Sequence, residues 1–437
     1  MQRDIKYLII RQEQSSNWIS CISITDNLER TYSFALRDEP YKIINLNTGL
    51  DKFKIMQIAR ETYTLRPQKI IFIDHAPHPG QYINYLDEIY GEENRPKLIF
   101  HLFGDFTLSP IDWRKTESSL YNFSCLFLAA SKKQVRLLEK LFQNKDSIKL
   151  FPFPVDENTF FYDTKLREST RNKLGVSQNA KLFFYSGRIS DQKNSIETIR
   201  LFFKLIKQFH CDFYFIHAGN HDDLSVPYLG KISTNGSYYQ SWRKLMSEIE
   251  QSGLADRIKY LGGLKQEKLN QLYNASDYII SLSTHNDEDY GMSIAEALLC
   301  GCKPILTDWA GYSSFLDDFK DISSPVPVKT GETKVVPRFN LAMKYVLNKE
   351  NLSESQDERA KIALKSQKLY SIKFLSGQIQ DFTEKTVQFK GFTNLFYKLC
   401  STYSMSPRSP FKAKGGGYSK LYHEVYKPYF GGKTNDF

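Results

Sequence analysis

The sequence predicts an α/β protein of two lobes, each built on a mostly parallel sheet. Short β-rich runs alternate with helical patterns from the start of the chain, and such alternation builds βαβ units. A break with two prolines, Phe151-Pro152-Phe153-Pro154-Val155-Asp156, separates one alternating series from a second. The chain has 437 residues, which at roughly 150 residues per domain allows about two or three domains.

The first series contains Tyr7 to Ile10, Lys69 to Ile73, Lys97 to Phe100 and Leu126 to Ala129. The second opens with Lys181 to Ser186 and continues with Asp212 to His217, Ile258 to Leu261, Tyr278 to Leu282 and Pro304 to Thr307. Between the first two of these, Ile199, Phe202, Phe203 and Ile206 keep the i, i+3, i+4, i+7 spacing of a helix face. Asn194 with Glu197 three residues on has the form of a capping box that starts this helix after Lys193. A helix from Ser293 to Cys300 ends on Gly301, a favourable C-terminal cap. Asp357 to Phe389 reads as helical and charged. These patterns give an N-terminal lobe over 1–165, a second lobe over 178–355, and a returning helical segment with a basic aromatic tail over 356–437.

Apolar residues make up 41% and charged residues 25% of the chain, the balance of a folded protein rather than a disordered one. The net charge of +10 favours acidic partners such as nucleoside diphosphates, anionic lipid or nucleic acid. The 31 Phe and 27 Tyr suit sugar faces, bases or a membrane interface. No apolar run approaches the roughly 18 residues that span a bilayer, and the first apolar stretch is too short for a signal peptide, which predicts a cytoplasmic protein. The six cysteines are scattered without C-x2-C spacing, so neither a zinc site nor a disulfide framework is expected.

The most informative stretch runs from Glu288 through Tyr290-Gly291-Met292-Ser293 to Glu296, then to Gly301 and Pro304. A strand ends before it and a helix begins near Ser293, so free amides and two carboxylates face the region beyond the strand ends where open α/β sheets bind ligands. Carboxylates accept hydrogen bonds from sugar hydroxyls and amides donate to them. The competing reading is a helix-start Glu296 complementing the dipole and a solvent-exposed Glu288. Arg188 and Lys193 flank the start of another helix, an arrangement that suits a diphosphate, although such cations are often only solvated. His101 ends a strand of the first lobe and fits either a ligand-facing or a structural role. Asp74-His75-Ala76-Pro77-His78 ends the preceding strand and fits either the lining of an acceptor side or a metal held through its two histidines, for which no third ligand stands in evident spacing. Asp287-x-Asp289 has the form of a metal-binding D-x-D.

The Glu288 to Glu296 run resembles the E-x7-E signature of retaining GT-B glycosyltransferases, in particular glycosyltransferase family 4 (glycosyl transferases group 1), with Tyr290 where the family usually has Phe. Four further stretches fall in the family's order: Pro154-Val155-Asp156, Ser186-Gly187-Arg188 with Lys193, His217-Ala218-Gly219, and Tyr260-Leu261-Gly262-Gly263 running to Asp277. The chain departs from the family after its first strand, where Arg11 to Trp18 contains no glycine.

The resemblance implies two Rossmann-like domains facing across a cleft, with C-terminal helices crossing back to the first. It implies transfer of a hexosyl group, with retention and without metal, from a UDP- or GDP-sugar to a glycan or lipid-linked glycan in cell-envelope polysaccharide synthesis. On this view Arg188 and Lys193 hold the diphosphate, Glu296 the ribose, Glu288 the donor sugar, and His101 lies near the transferred group. Gly187, Gly219, Leu264, Tyr290, Gly291, Met292 and Ser293 complete the donor-binding set. The rival is a non-catalytic scaffold of the same fold that binds nucleotide-sugar or a partner protein. A dinucleotide oxidoreductase lacks its G-x-G-x-x-G. Between Lys390 and Phe437, eight basic residues stand against Glu424 and Asp436, with aromatics interleaved. That pattern predicts either peripheral docking on anionic membrane, without nucleic acid, or packing on the N-terminal lobe.

Overall fold

Continuous apolar runs become the strands of two parallel sheets, because strands covered by helices on both faces need no polar alternation. The computed structural model describes residues 5–12, 19–47, 49–73, 78–209, 212–222, 236–348 and 355–431. The chain forms two units: Met1–Val155 with Tyr370–Pro407, and Asp156–Leu369 with Arg408–Phe437.

The first unit contains β1 (Tyr7–Arg11), β2 (Tyr41–Asn45), β3 (Lys69–Phe72), β4 (Lys97–Leu102), β5 (Ser124–Ala129) and β6 (Ile148–Leu150). These pair in parallel in the order β2-β1-β3-β4-β5-β6. The register places Phe72 beside Phe100 and Phe100 beside Phe127. Their rings stack at 4.7 and 5.0 Å, forming an aromatic ladder through the core. Burial of each such side chain contributes on the order of 1.5–3 kcal/mol.

The second unit contains β7 (Lys181–Ser186), β8 (Phe213–Ala218), β9 (Ile258–Tyr260), β10 (Tyr278–Ser281), β11 (Lys303–Thr307) and β12 (Ser324–Val326). The order is β12-β11-β10-β7-β8-β9, all parallel. An antiparallel hairpin of β13 (Val328–Thr330) and β14 (Val335–Pro337) follows.

The unit boundaries differ from those read in the sequence. Residues 156–165, read with the first lobe, and 166–177, left between the lobes, fall in the second unit: there the helix Thr164–Leu174 is anchored by Arg171, which is fully buried and donates to the Ala275 carbonyl at 2.7 Å. Arg167 pairs with Asp277 at 2.5 Å. Burial opposes ionisation of Asp277, yet Arg167, Arg171 and Arg359 together hold its carboxyl below the usual value.

Segment 356–437 also divides. The helix Gln356–Tyr370 is tied to the second unit by Arg359, which is buried and donates to the carbonyls of Asn274 and Cys300 at 3.0 and 3.1 Å. Residues 370–407 belong to the first unit. There β15 (Val387–Gln388) pairs antiparallel with β5, and Phe396 of the helix Asn394–Met405 stacks on Phe392 at 3.9 Å. Of the tail read over 390–437, residues 390–407 thus pack in the first unit, as one of its two readings has it, whereas from Arg408 the chain belongs to the second unit again. Phe411, Tyr422, Tyr426 and Tyr429 are fully buried, so these rings serve as core and not as a membrane-facing surface. Among the described residues no helix is long and apolar enough to cross a membrane, and the five described cysteines are free thiols.

Candidate donor site

In the second unit the strand order reverses between β7 and β10, so the chains leaving these two strands diverge and open a crevice at their carboxyl ends. The loop after β7 carries Gly187 and Arg188. Gly187 N–H donates to the Ala218 carbonyl at 3.0 Å, and Gly219 N–H to that of Gly262 at 2.8 Å. Gly219 has φ +143°, and a Cβ there would overlap the Gly187 carbonyl, so only glycine permits the β7 and β8 loops to approach this closely. Tyr185 Oη donates to the Arg188 carbonyl at 2.6 Å. The Arg188 guanidinium pairs with Asp222 and reaches Gln192 Oε1 at 3.3 Å.

One 3-10 turn, Asp191–Lys193, leads to Asn194 at φ +50° and the helix Ser195–Phe209. The helix begins where the sequence places it, but Asn194 does not form the expected capping box. Its side-chain amide donates instead to the Leu282 carbonyl at 2.7 Å and Thr284 Oγ1 at 3.0 Å, which ties the β7 loop to the β10 loop. Lys193 Nζ forms an ion pair with Glu288, joining groups 95 positions apart.

Glu288 is 7% exposed, which removes the solvated reading of this residue. Its N–H donates to the His285 carbonyl at 3.2 Å and its carbonyl accepts from Gly311 N–H at 2.8 Å. Gly291, at φ +110°, precedes the helix Met292–Leu299, and a Cβ on it would meet the Tyr312 ring at 2.6 Å. The amides of Met292 and Ser293 stand at the helix start, where no intrahelical acceptor exists. Glu296 is the fifth helical residue, in the second turn and not the first, so dipole complementation does not explain it. It too is 7% exposed, and it accepts from Tyr273 Oη at 3.1 Å. Burial pushes its carboxyl up to about 7, against the Tyr273 hydrogen bond.

Other candidates fall differently. The Tyr290 side chain is buried against Phe315, 5.1 Å between ring centres, which leaves its backbone as the part able to reach a ligand. Leu264 is half-buried between β9 and the helix Gln266–Ala275. His101, on β4 of the first unit, is fully enclosed. Its Nε2 lies 2.7 Å from Tyr32 Oη and its ring packs on Phe151 at 5.1 Å. Burial lowers its pKa to about 3, so the ring is neutral. Asp74 and His75 lie outside the described residues, while His78 packs on Trp113 at 4.4 Å. Asp287 and Asp289 are half-buried, and no three His, Cys, Asp or Glu side chains gather as a metal site among the described residues.

Several participants were not singled out in the sequence. Asp222 pairs with Arg188, and Tyr273, which lies within the stretch from Tyr260 to Asp277 but is given no role there, bonds Glu296. Lys334, in the β13–β14 hairpin, reaches Asp191 Oδ1 at 2.8 Å and Asn194 Oδ1 at 3.1 Å, bringing a third cation to the β7 loop. No local pattern marks Lys334, because its partners lie 143 and 140 positions away.

Two α/β units with these sheet orders make the protein a GT-B fold, and the solved structures it resembles have that architecture. A glycosyltransferase from Rickettsia africae aligns at TM-score 0.62 and 15% identity, covering 88% of this chain and 99% of that one. HepE from Anabaena, in complex with UDP, aligns at TM-score 0.60 and 15% identity, covering 87% and 100%. Sucrose-phosphate synthase from Thermosynechococcus elongatus aligns at TM-score 0.59 and 12% identity, covering 87% and 98%. Residues 167–362, which include the whole constellation from Gly187 to Glu296, match the model of the family glycosyl transferases group 1. No curated protein matches the chain.

Proposed function

We propose that the protein is a nucleotide-sugar-dependent hexosyltransferase acting with retention on a glycan or glycolipid acceptor, in cell-envelope polysaccharide synthesis. The observation that carries this reading is the Lys193–Glu288 ion pair at the β7/β10 switch point, with Arg188 in the β7 loop and the buried Glu296 held by Tyr273, all within the stretch that matches the family model. Arg188, Lys193 and the start of the helix Ser195–Phe209 would meet the diphosphate, Glu296 the ribose hydroxyls, and Glu288 with the amides of Gly291 to Ser293 the sugar.

In the transfer, the bond from the sugar's anomeric carbon to the phosphate oxygen breaks as the bond to the acceptor oxygen forms on the same face. The departing phosphate takes the acceptor proton. Charge that grows on the leaving diphosphate falls on cations already fixed in place, which is electrostatic preorganisation. Neutralisation by these side chains needs no metal. The enclosed ring of His101 fits a packing role in its own unit better than contact with the sugar. HepE's complex with UDP makes a uridine nucleotide the first donor to try, with GDP-sugars next.

The test is thermal shift with UDP-, GDP- and ADP-sugars, since a ligand bound only by the folded state raises Tm, followed by release of labelled glucose from UDP-glucose. A rise with one nucleotide class is expected. No shift with any of the three, and no sugar release, would overturn the reading.

A further inference from the structure

The loops after β10 and β11 hold each other. Trp309 Nε1–H donates to the His285 carbonyl and Gly311 N–H to the Glu288 carbonyl, both at 2.8 Å. The opposite edge of residues 308–311 is taken by the end of the chain. Ala310 N–H donates to the Tyr429 carbonyl and Gly431 N–H to the Asp308 carbonyl, both at 3.0 Å. Trp309 and Phe430 form an antiparallel bridge, and their rings meet edge to face at 4.8 Å. Ala310 sits at φ +47°, a left-handed conformation that a residue with a Cβ keeps only when its surroundings over-determine it. A second tie comes from Tyr422, fully buried, whose hydroxyl lies 3.3 Å from Asn286 Nδ2, two residues before Glu288.

We propose that residues 408–431 are a positioning strap for the donor loop. Tyr429, Phe430 and Gly431 fix segment 308–311, Tyr422 fixes Asn286, and together they set where the Glu288 carboxylate stands. The strap adds no strand to the six-stranded sheet, so its contacts concentrate on the loops beyond the strand ends. A site that must hold a reacting group within a fraction of an ångström needs such outer support. The functional consequence rests on reading Glu288 as a donor-sugar ligand; the mechanical linkage does not.

The experiment compares amide hydrogen exchange in the parent chain, Tyr422→Phe, Phe430→Ala and a chain ending at Pro407, together with calorimetry using UDP and UDP-glucose. Exchange over residues 285–311 should rise about tenfold, the effect of losing one or two net hydrogen bonds, in Phe430→Ala and the shortened chain, and the rise in Tyr422→Phe should centre on the residues around Asn286. Strands β7, β8 and β10 should keep their protection. UDP affinity should hold while the additional affinity for UDP-glucose falls. If the shortened chain does not fold, the two single variants carry the test. Unchanged exchange over 285–311 in both overturns the strap, and faster exchange with unchanged discrimination between UDP and UDP-glucose overturns its positioning role. Faster exchange when the parent chain binds neither nucleotide leaves the linkage standing and overturns the donor reading instead.

Discussion

The two units reverse strand order at comparable points and furnish them differently. In the second, the loops after β7 and β10 bring Lys193 onto Glu288 and place Arg188, Lys334 and Glu296 around the same crevice. In the first, among the described residues, the end of β1 carries Arg11 paired with Glu29 and, at 3.4 Å, with Asp26, and the histidine at the end of β4 is neutral and enclosed by Tyr32 and Phe151. Among the described residues, what marks a site in the second unit is the charge its loops carry and not the architecture it shares with the first.

The strongest challenge to this contrast is removal of the cations. Arg188→Ala and Lys193→Ala should each lower kcat/KM by about 2–4 kcal/mol equivalent if they meet developing charge, with folding checked by circular dichroism. Near-parental values in both variants would erase the distinction between the units.

The carboxylates sharpen it next. Glu288→Ala should act mainly on kcat, and Glu296→Ala mainly on UDP affinity. Because burial raises the folded-state pKa of Glu296 to about 7, the folded protein binds more protons than the unfolded chain between the ordinary carboxylate value and pH 7. Stability should thus fall as pH rises through that window, by on the order of 3 kcal/mol, and level off above it. Glu296→Gln should flatten this slope in denaturant titrations. UDP affinity should improve from pH 6 to 8 in the parent by more than in Glu296→Gln, since the ionised carboxylate is the better acceptor for ribose hydroxyls.

A smaller effect is expected in the first unit. His101→Phe leaves the Tyr32 hydroxyl buried without its partner, costing about 1–3 kcal/mol of stability, with kcat/KM nearly kept. A hundredfold loss of kcat at unchanged stability would put His101 in the chemistry. The smallest effect is none: activity should survive EDTA, and loss with rescue by manganese would move the role to Asp287 and Asp289.

Much of this was legible in the sequence. Runs such as Lys181 to Ser186 are strands because a two-sided buried strand must be continuously apolar, and Glu288 to Glu296 carries its own spacing. What stayed hidden depends on distant partners. Asn194 reads as a helix cap until Leu282 and Thr284 claim its amide. The tail's alternation of rings and lysines looks the same whether the rings meet lipid or Trp309. Lys334 has no periodic context, and the short strand β2 is only half-buried, so its pattern is weak.

The crossings between units also carry a consequence for synthesis. Neither unit is continuous in sequence: the first needs residues 370–407 and the second needs 408–431. The 214 residues of 156–369 separate the two parts of the first unit, and at roughly 5–20 residues per second the ribosome takes about 10–40 seconds to make them. Until then the edge of β5 that pairs with β15, and the Phe106 and Phe142 rings that Phe392 covers, have no partner from that stretch. The nascent chain thus carries an open aromatic seam until residues 387–392 emerge, and segment 308–311 waits longer still, for residues 429–431.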